Sequence, residues 1–181
     1  LAMAAKAREL KNKGVDIIGL SLGEPDFNTP EFIKNAAVKA VEDNWNSYSP
    51  VDGYLDLKKA ICNKFKRDNK INYKTSQIVV STGAKQSIAN VCMVLLNPGD
   101  EVLLPAPYWV SYSAIATLAE AKSTIIPSTI ESDFKITPEQ LQAAITSKTK
   151  LVMFNSPNNP SGTIYTEKEL LALGEVLKNH P

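Results

Sequence analysis

The chain has 181 residues, long enough to bury the core of one ordinary domain. Hydrophobic residues make up 44% and charged ones 22%, close to the averages of globular domains and unlike disordered chains. With 20 Lys+Arg against 19 Asp+Glu the net charge is +1, which gives no basis for nucleic acid or an anionic membrane as partner; no apolar run approaches the ~20 residues of a membrane span.

The sequence opens directly into a helical stretch, LAMAAKARELKNKG, with no initiator Met and no signal-peptide pattern, and it closes straight after another helix. Both ends read as cut, so a piece of a longer protein is expected. Thr29-Pro30-Glu31 supplies an N-cap with Pro at the first helical position, followed by an apolar face of Phe32, Ile33, Ala36, Ala37, Ala40 and Val41. A second helix is expected over 54–68, with Leu57, Ala60, Ile61 and Phe65 inward and Lys58, Lys59, Lys64 and Lys66 on a solvated face.

Strands and helices then alternate. Residues 77–81 (QIVVS) read as a short strand, and 83–96 as a helix with Ala84, Ile88, Val91, Cys92 and Leu95 on one side. Asn97-Pro98-Gly99-Asp100 is a turn before the strand EVLLP. A helix over 108–118 and a strand over 121–126 follow. Thr137 with Gln140, and later Thr166 with Glu169, form capping boxes that start two more helices around the strand KLVMF at 150–154. Apolar strands alternating with helices imply a mostly parallel sheet with helices on both faces, an α/β three-layer fold. The first 45 or so residues stand outside the alternation and are expected to form a separate small domain or arm.

Cys62 and Cys92, each inside an apolar helical pattern, read as buried thiols of a reducing compartment. The only histidine is next to last, so neither a histidine triad nor a zinc site is expected.

Ligands of such sheets bind beyond the carboxyl ends of strands, and three strand ends are unusual. In Ser81-Thr82-Gly83-Ala84-Lys85 a strand turns sharply into a helix, whose free N–H groups suit a phosphate; a plain cap is the bland alternative. In Pro105-Ala106-Pro107-Tyr108-Trp109 two prolines stiffen the loop, and Trp109 either stacks on a flat ring or packs into the core. The loop NSPNNPSG carries more prolines and asparagines than a connection requires. Its Asn159 is suited to donate to a phenolate-like oxygen, with a cis bond expected at Asn159–Pro160.

SLGEPDF at 21–27, NSYSPVDGYLDLKKAI at 46–61, STGAKQSI at 81–88, PAPYWVSY at 105–112 and NSPNNPSGT at 155–163 resemble, in order and spacing, the class I aminotransferases, most of all the bacterial aspartate aminotransferase subgroup. The resemblance covers essentially the whole chain. It implies the fold of pyridoxal-phosphate transferases: 1–45 as part of the small domain or arm, and 46–181 as the N-terminal half of the cofactor-binding large domain. It also implies pyridoxal 5'-phosphate as cofactor, an amino acid and a 2-oxo acid as substrates, a homodimer and a cytoplasmic location.

Residue by residue, Gly83, Ala84 and Lys85 match the turn that cradles the cofactor phosphate. Trp109 matches the residue stacked on the pyridine ring, and Asn159 the donor to the ring oxygen. Tyr48 matches a residue reaching the phosphate of the neighbouring subunit. Gly23 borders the substrate carboxylate, and Trp109 and Asn159 also face the substrate.

The family's covalent cofactor lysine, the Asp that keeps the ring nitrogen protonated and the Arg that grips the substrate carboxylate all match positions beyond this chain. No catalytic residue is therefore expected within it, and the chain alone is expected to be inactive. A β-lyase of the same fold, a non-catalytic regulatory domain and a plain phosphate-binding α/β domain are the alternatives. The last leaves Trp109 and the asparagine loop without a role.

Overall fold

The computed structural model describes residues 2–19, 23 and 25–180. The chain divides into two compact units, Leu1–Ser49 and Pro50–Pro181.

The first unit holds α1 (Ala2–Asn12) and α2 (Glu31–Glu42). Lys6 on α1 and Lys13 just beyond it pair with Glu9 at 3.0 and 2.6 Å, one turn before and after it. Pro30 itself takes the cap position of α2 with extended dihedrals (φ −55°, ψ 144°), so the helix starts one residue later than Thr29 capping predicts. The apolar face of α2 is present but uncovered, with Phe32 and Val41 each about three-quarters exposed.

The second unit is a three-layer αβα arrangement. Its sheet has the order β2-β1-β3, from β1 (Glu101–Pro105), β2 (Lys122–Ile126) and β3 (Thr149–Val152), and both pairings are parallel. Every residue of β1 is buried, as a central strand covered on both faces must be. The pleat sends Val102 and Leu104 to one side, against α4 (Ala84–Leu95) and α5 (Ser111–Leu118) through Cys92, Leu96, Tyr112, Ile115 and Ala116. Leu103 points to the other side, against Leu141 of α6 (Pro138–Ala144), Leu173 of α7 (Glu167–Lys178) and Tyr165. Both expected capping boxes form, Thr137 accepting from the Gln140 N–H and Thr166 from the Glu169 N–H. Burial in this core pushes the Cys92 thiol pKa up, as expected of an inert buried cysteine.

Three expectations change. Residues 78–81 are not a strand: they follow a short 3-10 turn, Thr75–Gln77, and no described residue offers them a ladder. Extended backbone becomes a strand only with a partner, so an apolar pattern alone over-predicts here.

On α4 the inward stripe is Ile88, Ala89 and Cys92, continued by Leu96. Ile88 and Cys92 are inward as expected, whereas Val91 and Leu95 of the expected face are about half exposed. On α3 (Leu55–Lys64) Ile61 is part-buried as expected, but the one buried residue is Lys58, only 8% exposed, while Leu57 is 45% exposed. Lys58 is thus no member of a solvated face. Its ammonium makes a short ion pair with the Asp52 carboxylate, the compensation a buried charge requires.

Candidate functional site

Because β1 and β3 are parallel, the loops that follow them leave from the same end of the sheet. The turn before α4 is shaped for an anion. Gly83 sits at φ +83°, ψ 168°, where side chains other than hydrogen are strained, and open space lies where a Cβ would stand. The Thr82 N–H is taken by the Gln86 side chain and the Gly83 N–H by the Ser81 carbonyl. The N–H groups of Ala84 and Lys85, in the first turn of α4, find no acceptor among the described residues. They point free donors outward at the positive end of a helix dipole.

Of the two roles left open by its sequence, Trp109 takes the core-packing one, and its ring also meets a cation. One side of it packs on the core, edge to face with Tyr112 at 5.6 Å between centroids and 84° between planes. Over its ring lies the Lys85 ammonium, 5.0 Å from the centroid, a cation–π contact that ties the turn at Gly83 to the Trp loop. The loop is fixed from β2 as well: the Ala106 N–H donates to the Ile126 carbonyl at 2.9 Å, and the Ser128 hydroxyl donates to the Ala106 carbonyl.

In the loop after β3, the neighbouring asparagines divide the work. Asn158 is the scaffold. Its amide donates to the Pro107 carbonyl at 3.1 Å, and its side-chain oxygen accepts from the Ser161 N–H and hydroxyl, each at 3.1 Å. Its backbone N–H reaches the Thr163 carbonyl at 2.8 Å. Asn159 is exposed and bonds to no described residue, so its amide is available to a ligand. The Asn159–Pro160 bond is cis as expected, as are Ser156–Pro157 and Ala106–Pro107. At the start of the loop, Asn155 donates to the Pro157 carbonyl at 2.8 Å, while its side-chain oxygen is buried with no partner among the described residues.

The three loops of the second unit therefore come together, through Lys85 on Trp109 and Asn158 on Pro107. Tyr48 and Gly23 belong to the first unit. Tyr48 is fully exposed, and Gly23 is exposed with open space around it; part of the SLGEPDF segment lies outside the described residues. Asn158 is the residue that sequence reasoning overlooked. Its signal was available: an Asn three residues before a Ser, at a proline-rich turn, is the pattern of a side chain that caps its own loop.

A phosphate, a flat ring and a ring oxygen fit this set of groups. The model of the family "Aminotransferase class I and II" matches residues 15–181. The chain is 51% identical over 181 residues to an aspartate/prephenate aminotransferase of Cereibacter sphaeroides, covering all of this chain and 45% of that protein. It is 52% identical over 180 residues to an aspartate aminotransferase of Bacillus subtilis, covering 99% of this chain and 46% of that protein.

Among solved structures, an aspartate aminotransferase from Rhizobium meliloti superposes with a TM-score of 0.94 at 46% identity, over 99% of this chain and 45% of that one. The Thermus thermophilus aspartate aminotransferase with maleate gives 0.95 at 39% identity, over 99% and 47%. The chain thus spans about half the length of the relatives it matches. It belongs to the class I and II aminotransferases, with their fold.

Proposed function

We propose that this chain supplies the cofactor-gripping half of a pyridoxal-phosphate-dependent aminotransferase acting on an acidic amino acid, aspartate or glutamate, and a 2-oxo acid. The observation that carries this is the convergence of three loops, each offering one kind of contact that the cofactor needs. When bound, pyridoxal phosphate supplies an electron sink for the bond broken at the substrate α-carbon.

The chain's own residues do the holding. The N–H groups of Ala84 and Lys85, with Gly83 leaving room for close approach, take the phosphate. Trp109 covers one ring face and keeps water from it. Asn159 donates to the ring oxygen, while Asn158 holds the loop that aims it. Gly23 borders the substrate carboxylate. Tyr48 reaches the phosphate of a second copy, so the protein acts as a homodimer.

In this proposal residues 1–45 belong to the small domain or arm, and 46–181 form the first half of the large domain. The covalent lysine, the ring-nitrogen Asp and the carboxylate-gripping Arg come from the remainder of the protein. An acidic substrate is supported by the relatives' names and by the maleate in one similar structure. Two free thiols support a reducing, cytoplasmic setting.

The full-length protein, stripped of cofactor and reloaded, tests the proposal. Aspartate with 2-oxoglutarate is expected to yield oxaloacetate and glutamate only when pyridoxal phosphate is restored. Release of ammonia and pyruvate-type products instead points to a lyase. Cofactor binding without turnover of any amino donor points to a regulatory domain.

A further inference from the structure

The phosphate turn has to be aimed, yet the segment that leads into it has no sheet ladder among the described residues. Ile78 is extended and buried, and Val79 is two-thirds exposed. The Ile78 N–H stays local, donating to the Thr75 carbonyl at 3.2 Å. One long-range backbone bond anchors the segment: the Val80 N–H donates to the Asp52 carbonyl at 3.1 Å. Three residues beyond Val80 stands Gly83.

The turn that accepts this bond is built around close contact. Gly53 lies at φ +98°, and a Cβ there would come within 2.5 Å of Val80 Cγ2 and 2.8 Å of Val80 Cβ. Any larger residue would push the turn away from Val80 and lengthen the bond to Asp52. The Gly53 N–H closes the turn on the Pro50 carbonyl at 3.0 Å.

The Asp52 side chain accepts from the Lys58 ammonium of α3. Lys58 is the one buried residue of α3, its side chain 10% exposed, whereas Asp52 remains 47% exposed. A lysine at an inward helical position costs desolvation that an apolar residue would avoid. Its ammonium is spent on one carboxylate, at the turn that carries the anchor for Val80.

We propose that Asp52 and Lys58 are positioning residues for cofactor-phosphate binding: their ion pair fixes the 50–53 turn, and the turn, through the Asp52 carbonyl and Gly53, sets the reach of 78–80 and hence the aim of the N–H groups at Gly83–Lys85. Neither side chain touches the cofactor. The inference rests on the phosphate-turn assignment above and adds to it the residues that hold the turn in place.

The test uses the full-length protein and two probes, pyridoxal phosphate and pyridoxal, which lacks the phosphate. Dissociation constants for both are measured by absorbance titration of the stripped enzyme. D52N, K58M and G53A are expected to weaken pyridoxal phosphate by roughly tenfold or more while changing pyridoxal by less than about twofold, and K58R to recover most of the loss. D52N keeps the backbone carbonyl and the side-chain shape, so it decides the matter if K58M or G53A fails to fold.

Equal weakening of both probes overturns the inference, since a general loss of stability does not distinguish them. So does a folded D52N and K58M with unchanged affinity for pyridoxal phosphate. A wild-type protein that binds neither probe, or both equally, removes the phosphate-turn assignment itself, and the inference with it.

Discussion

The Lys85 ammonium lies over the ring of Trp109, 5.0 Å from its centroid. The contact joins the first turn of α4 to the loop after β1, two segments with no backbone hydrogen bond between them. It places Lys85, proposed above to hold the cofactor phosphate, against Trp109, proposed to stack on the cofactor ring, so in that proposal phosphate and ring are gripped by groups in mutual contact.

Replacing Trp109 tests the stacking half of that arrangement. In the full-length protein, W109A is expected to weaken pyridoxal phosphate binding by about 1–3 kcal/mol, the range for a heteroaromatic ring stacked on an aromatic side chain. W109F is expected to lose less than W109A. Titration of the stripped protein checks both; equal affinities for W109A and wild type contradict the assignment.

The scaffold role of Asn158 predicts a different signature from that of Asn159. N158A removes an amide–carbonyl bond to Pro107 and an acceptor for Ser161, and is expected to lower the unfolding midpoint as well as cofactor affinity. N159A leaves the described hydrogen bonds intact, so it is expected to hold its unfolding midpoint without cofactor and to shift the absorbance of the bound cofactor instead. Thermal unfolding and absorbance spectra of the two variants, side by side, separate the roles.

Tyr165 is a stability residue in the same unit. Its hydroxyl accepts from the Ile136 N–H at 2.8 Å, with both residues buried. Y165F strands that N–H and is expected to cost about 1–3 kcal/mol, the price of an unsatisfied buried donor. Denaturant unfolding of the full-length protein gives the value.

Glu101, buried at the start of β1, links stability to pH. Its carboxylate accepts from the Thr146 hydroxyl at 2.6 Å and pairs with Lys122 at 3.4 Å. The Thr146 hydrogen bond, then the Lys122 contacts, hold its pKa below the ordinary 4.5 against the opposing effect of burial. A carboxylate whose folded pKa is depressed adds stability that is fully present above its unfolded value and is lost as the pH falls through the folded one. The unfolding midpoint is therefore expected to drop on acidification below about pH 4.5, the ordinary carboxylate value, and E101Q to flatten that drop. An E101Q profile parallel to wild type contradicts it.

Much of this was legible in the sequence because the signals are local. Both capping boxes, the 97–100 turn and the EVLLP strand rest on neighbouring residues, and all appear where the sequence puts them. The Asn159–Pro160 cis bond was legible too. What failed depends on distant partners. Residues 78–81 carry a strand pattern but lack a ladder among the described residues, and Lys58 reads as a surface lysine until Asp52 is seen to fold back on it. The faces of α3 and α4 were only partly legible: Ile61, Ile88 and Cys92 turn inward as read while Leu57, Val91 and Leu95 do not, since short helices of mixed polarity define a stripe poorly. Asn158 and Asn159 are indistinguishable by composition, and only the position of Pro107 marks Asn158 as the tether.

The isolated 181-residue chain carries uncovered apolar side chains on both units, among them Phe27, Phe32, Val41, Val79 and Val94, each more than 60% exposed. Such a surface favours association. Sedimentation of the chain alone is expected to show concentration-dependent assembly, and treatment with pyridoxal phosphate and borohydride no stoichiometric adduct at a single lysine. A dilute monomer contradicts the first expectation, and one stoichiometrically labelled lysine the second.

The central claim is that Gly83–Lys85, Trp109 and Asn159 grip one cofactor together. A crystal structure of the full-length protein grown with pyridoxal phosphate measures this directly. The phosphate is expected on the N–H groups of Ala84 and Lys85, the ring against Trp109 and its oxygen within hydrogen-bonding distance of Asn159. Cofactor density elsewhere, or a phosphate bound away from the start of α4, would contradict it.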